Sequence, residues 1–175
     1  MKQTKQKKSI IKLTFIFFLI FIPFIIFGQS NYEVLINKNL KSTLLLHKEL
    51  VSIPNLPENK DLMLENINWV AKQYDDLNFR TTLLETNTLP ILIAEKEYDP
   101  SYKTVLFYFH IDGQPINPES WNQDHPFHPV LKSEDKGGLW KIIDWNKLDG
   151  DINDEWRIFG RAAADDKAPV IMLLS

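Results

Sequence analysis

From Asn31 to Val51 apolar residues recur at helical spacing, with Val34, Leu35, Leu40, Leu44, Leu45, Leu46 and Leu50 forming one stripe. The stripe ends at SIPNLPENK, Ser52 to Lys60, where two prolines stop a helix. A second helical pattern spans Asp61 to Asp76, with Leu62, Leu64, Ile67, Val70 and Ala71 on one face and Asp61 placed to cap its start. The period then shortens. Phe79 to Leu84, Ile91 to Glu95 and Thr104 to His110 read as strands, with shorter ones at Leu139 to Ile143 and Trp156 to Phe159. The run TVLFYFH, Thr104 to His110, is almost wholly apolar, the pattern of a strand buried on both faces. Ile111 to Glu134 reads as one long loop, and a helix opens near Asp166 with Pro169 near its first position. Two helices, strands, then a strand–loop–helix unit predict an α/β sandwich.

The N-terminus breaks this pattern. Lys2, Lys5, Lys7, Lys8 and Lys12 precede an uncharged apolar run from Leu13 to Gly28, the layout of an export signal at residues 1–28 with cleavage after Gly28. The alternative is an uncleaved membrane anchor, although the run is shorter than the ~20 residues of a spanning helix and Pro23 interrupts it. The expectation is a periplasmic or secreted protein, touching a membrane only through this segment. Residues 29–175 form the working part. Beyond Gly28 the chain carries 15 basic and 23 acidic residues, which excludes the basic footprint of a nucleic-acid binder. Cysteine is absent, so any metal must be held by His, Asp or Glu.

Two stretches carry candidate chemistry. In FHIDGQP, Phe109 to Pro115, His110 and Asp112 are two apart at a strand end, so extended geometry puts both side chains on one side. An imidazole can ligate a metal while a neighbouring carboxylate fixes its tautomer. The plainer reading is a hydrogen-bonded strand end. In GRAAADDKAP, Gly160 to Pro169, Asp165 and Asp166 follow three alanines and precede an apolar run. Paired acids favour a helix start through its dipole. A carboxylate reached through small residues can also bridge two divalent ions. His125 and His128, in a proline-rich loop, read as loop or pocket-wall residues, and His47, beside Lys48 on a helix, as a surface residue. Trp121 and Phe127 either line a cleft or pin the loop.

Taken in order, these motifs resemble the zinc exopeptidase family of carnosinase-type dipeptidases, glutamate carboxypeptidases, aminoacylases and succinyl-diaminopimelate desuccinylase. The matching features are ELVSIP at Glu49 to Pro54, the strand ending His110-Ile111-Asp112, Trp121 with DHPF at Asp124 to Phe127, and Gly160-Arg161 leading to Asp165-Asp166-Lys167. The resemblance implies the N-terminal part of an α/β sandwich with a mostly parallel or mixed central sheet. It implies a metallopeptidase with two Zn2+ per complete site, an all-His/carboxylate set that would also accept Mn2+ or Co2+. His110 and Asp165 would be metal ligands, Asp165 as the bridge. Asp112 would be the catalytic-site aspartate behind His110, and Asp166 a helix cap. No catalytic role is assigned to Lys167. The substrate would be a small peptide, or an N-acyl amino acid for a deacylase on the same site. A non-catalytic exported binding domain is the reading from another class. The chain departs from the family at Phe109, Ala162 and Ala168, where smaller residues are usual. The family's Glu-Glu pair, later acid, late histidine and lid domain, through which a homodimer would form, have no counterpart in these 175 residues. The chain ends on PVIMLLS, an apolar helix start, so the expectation is an N-terminal piece that is inactive alone and binds zinc weakly.

Overall fold

The computed structural model describes residues 32–175. The export-signal reading and its cleavage site fall outside the described residues. The chain divides into a unit of residues 1–40 and one of residues 41–175. In the first unit residues 32–40 are helical, and Val34 and Leu35 are exposed rather than part of a buried stripe.

The second unit carries the fold. Its first helix, α1, runs over residues 41–52. The next, α2, is Lys60–Asp76. Its N-cap is Asn59, whose side chain accepts the Leu62 N–H; Asp61 lies in the first turn instead, where its charge suits the dipole. The buried face is Met63, Asn66, Ile67, Val70 and Tyr74, shifted from the stripe read in the sequence at all but Ile67 and Val70. Asn78, in the left-handed region at φ 61°, ends α2. There Asn78 N–H returns to Asp75 O and Phe79 N–H to Tyr74 O, the double bond of a Schellman ending.

Five strands follow. β1 (Arg80–Leu84) and β2 (Ile91–Glu95) form an antiparallel hairpin. β3 (Val130–Glu134) sits between β4 (Trp140–Ile143) and β5 (Arg157–Phe159), antiparallel to both. β3 lies in what the sequence reads as loop, because its partners are supplied only by the fold. The last helix, α3, is Ala168–Leu174. The class is α/β as expected, and the pairings present among the described residues are the antiparallel ones.

The segment 104–110 departs from expectation. It is not paired as a strand, and Val105, Leu106, Phe107 and Tyr108 are 70, 90, 58 and 83% exposed. A doubly apolar strand is buried only when neighbours hydrogen-bond to both its edges, and no described strand does so here. The Phe107 and Phe109 rings, two residues apart, nonetheless stack on one side with an interplanar angle of 2°, as side chains of extended backbone can. Only its C-terminal end is packed. Phe109 and Ile111 pack against the core of Leu50, Val70, Tyr74, Val170 and Ile171, which joins α1, α2 and α3. Leu50 alone, fully buried, contributes about 1.5–3 kcal/mol.

Candidate metal centre

Three pieces of chain meet at the site: the end of the extended segment, the turn before α3, and the chain leaving α1. His110 and Asp112 do share one side, and His110 Nδ1 lies 3.2 Å from Asp112 Oδ1. An ionised carboxylate only accepts, so this contact places the ring proton on Nδ1. The other nitrogen, Nε2, lies 3.1 Å from Asp165 Oδ1. The two motifs, some fifty residues apart in sequence, thus clasp one imidazole from both ends. Burial pulls the His110 pKa down, but the hydrogen bond and charge of Asp112 and the charges of Asp166 and Asp165 outweigh it, and the pKa is raised above 6.5.

The turn before α3 is irregular. Ala162 holds φ 59°, a left-handed conformation that costs a residue with a Cβ roughly 1–2 kcal/mol and that the glycine usual in the family would take freely. Asp165 and Asp166 have non-helical backbones, and the peptide between them is cis. Asp166 does not cap α3, as the family resemblance implied. Its Oδ2 accepts the backbone N–H of His110 at 3.3 Å, because the non-helical turn aims the side chain at the neighbouring segment. Asp165 is 89% exposed at its side chain, and its second oxygen bonds no described residue.

Three neighbours of the site were not legible as such. Lys167 is fully buried, and its Nζ donates to Leu50 O at 2.7 Å and Ile53 O at 2.6 Å. Burial without a carboxylate partner pushes its pKa down to about 7. Asn55, also fully buried, donates from Nδ2 to Ile111 O at 2.6 Å, while its own carbonyl accepts Gly113 N–H at 2.7 Å. His47 is not a surface residue: it is half-buried, and its Nε2 donates to Ala163 O at 2.8 Å. The one available signal was composition, a lysine among alanines and a proline; nothing in local spacing points to Asn55 or His47.

His47 makes a testable pH contribution. Burial lowers its pKa below 6.5, the bond to Ala163 opposes this, and the charge of Lys167 adds to the lowering. The unfolded chain therefore binds the proton first. Stability associated with neutral His47 is present above pH 6.5 and is lost as the pH falls through its folded pKa. The urea midpoint is expected to drop from about pH 7.5 to about pH 5.5, and His47→Gln is expected to flatten that slope; an unchanged slope in the variant would refute the assignment.

The DHPF loop is built for support. Phe127 is buried, His125 Nδ1 accepts the Phe127 N–H, and His128 Nδ1 meets Asp124 Oδ2 at 3.0 Å. Among the described residues no three His, Asp or Glu side chains converge on one point. The donor atoms that do converge fit a metal: a tetrahedral ion with bonds of ~2.0–2.1 Å holds its donors ~3.3 Å apart, against 3.1 Å between His110 Nε2 and Asp165 Oδ1.

The architecture is a mixed α/β fold. In structure the chain is similar to the di-peptidase Dug1p from Saccharomyces cerevisiae, with a TM-score of 0.58 and 22% identity over 79% of this chain and 28% of that one. In sequence it is similar to the Cys-Gly metallodipeptidase dug1 of Schizosaccharomyces pombe, 38% identical over 87 residues, which is 49% of this chain and 14% of the relative. No family model matches the chain. The family resemblance read from the sequence is thus met by a metallodipeptidase in sequence and a di-peptidase in structure. The chain spans well under a third of the length of each relative.

Proposed function

We propose that the complete protein hydrolyses dipeptides or short peptides with bound divalent metal, zinc by the chemistry of its donors. The observation that carries this is the clasped imidazole, with Asp112 on Nδ1 and Asp165 on Nε2. Asp112 keeps a proton on Nδ1, and a cation at Nε2 would replace the proton that Asp165 otherwise draws there. Asp165 supplies a second donor beside it, and its other oxygen is available to a second ion. Asp166 fixes the His110 main chain. When bound, such a metal polarises a carbonyl and lowers the pKa of water. A catalytic zinc keeps about three protein ligands, so the remaining ligands, and the base that takes the proton from water, lie outside the described residues.

The name of the relative suggests Cys-Gly and similar dipeptides as first substrates. The test is turnover by the complete protein of Cys-Gly and other free dipeptides against N-acetyl amino acids, with Zn2+, Mn2+ or Co2+ and after chelation. Chelator-sensitive dipeptide cleavage is the expected result. Preference for the acylated substrates would make it a deacylase on the same site. No turnover with any metal, together with unaltered behaviour of His110→Ala, would leave a binding domain.

A further inference from the structure

We propose that Asn55 and Lys167 are positioning residues of the metal site, and that the chain leaving α1, residues 50–55, is the strut that sets the separation of its two halves. This rests on the metal-hydrolase reading above and deepens it. The strut touches both halves, and each link is to main chain. On one side Asn55 holds the segment between the two site residues: Nδ2 donates to Ile111 O at 2.6 Å, and Asn55 O accepts from Gly113 at 2.7 Å. On the other side Lys167, two residues after Asp165, donates to the carbonyls of Leu50 and Ile53. Leu50 O lies in the last turn of α1, where it also accepts the Ile53 N–H at 3.2 Å, and Ile53 O lies just past the helix; the negative end of the helix dipole favours a cation there.

Close approach makes the strut stiff. A Cβ on Gly113 would come within 2.8 Å of Asn55 Oδ1, and one on Gly160 within 2.5 Å of Val51 Cγ1. Both Asn55 and Lys167 are fully buried. Neither side chain can therefore trade its protein partner for bulk water. The His110 Nε2 to Asp165 Oδ1 distance is then a property of residues 50–55, to which neither ligand belongs.

The experiment uses the protein with Lys167→Met, Asn55→Leu and, as a control of lowered stability away from the site, Met63→Ala. Zinc affinity is read by competition with a chromophoric chelator, well below each melting temperature. Amide exchange of the metal-free proteins is read at Ala163, Lys167 and Gly113. Loss of binding in His110→Ala first shows that the metal sits where proposed. The two strut variants are expected to weaken zinc by about 10–100-fold, the usual cost of losing an outer partner, while Met63→Ala retains native affinity. Lys167→Met is also expected to speed exchange at Gly113, across the strut, and Asn55→Leu at Ala163 and Lys167. Native affinity in both strut variants overturns the proposal. A native protein that binds no zinc overturns the metal reading instead; the strut then stands or falls on whether exchange crosses it. If one variant does not fold, the other carries both readouts.

Discussion

Asp165→Ala is expected to remove bound metal and peptide hydrolysis together while leaving the fold intact. The side chain is 89% exposed and has one described contact, to His110. Its removal therefore opens no cavity and strands no buried partner, and a stability change within about 0.5 kcal/mol is expected. The chemical loss is large because, at the proposed site, the carboxylate would be the second donor beside His110 Nε2 and would bridge to a second ion. The loss should exceed the ~10–100-fold that an outer partner costs. Asp112→Asn supplies that comparison, since Asp112 contacts the other ring nitrogen and would orient the ligand without being one. Metal content of the purified proteins, read beside thermal melts, decides the matter. A folded Asp165→Ala protein that retains its full metal complement would show the site to be elsewhere.

Gly160→Ala is expected to cost about 1–3 kcal/mol of stability, the range for overpacking a filled interior. The added methyl would lie 2.5 Å from Val51 Cγ1 and 3.4 Å from Pro129 Cβ. Val51 is fully buried and cannot swing into solvent, and a proline ring has no rotamer to change. The backbone must yield, and the backbone here begins the turn that carries Asp165. The double variant Val51→Ala/Gly160→Ala is expected to be more stable than the sum of the single losses, because the smaller side chain vacates the space the methyl needs. Denaturant midpoints of the four proteins measure this directly. Strict additivity would mean that the two residues do not compete for the same volume.

How the site was legible follows from which contacts are local. His110 and Asp112 are two residues apart, and extended backbone puts them side by side whatever surrounds them. The Asp165-Asp166-Lys167 motif was visible as a motif, but the parts its members play were not. Asp166 reaches His110 rather than its own helix, and Lys167 reaches back 117 and 114 residues to Leu50 in α1 and Ile53 just past it. No periodicity encodes such distances. His47 fails for the same reason: beside Lys48 on a helix it reads as surface, and only the turn 116 residues later makes it a half-buried donor.

The sequence by itself determined the local elements: α2 within one residue, the strands β1 and β2, the small-residue turn before α3, and the side on which His110 and Asp112 stand. Each depends on residues within a few positions of one another. Only the tertiary structure decided that Val130–Glu134 is a strand, that residues 104–108 lie exposed, and that residues 50–55 tie the two halves of the site together. Strand pairing and buried hydrogen bonds depend on partners brought from far along the chain, and such a partner exists only once the chain has folded.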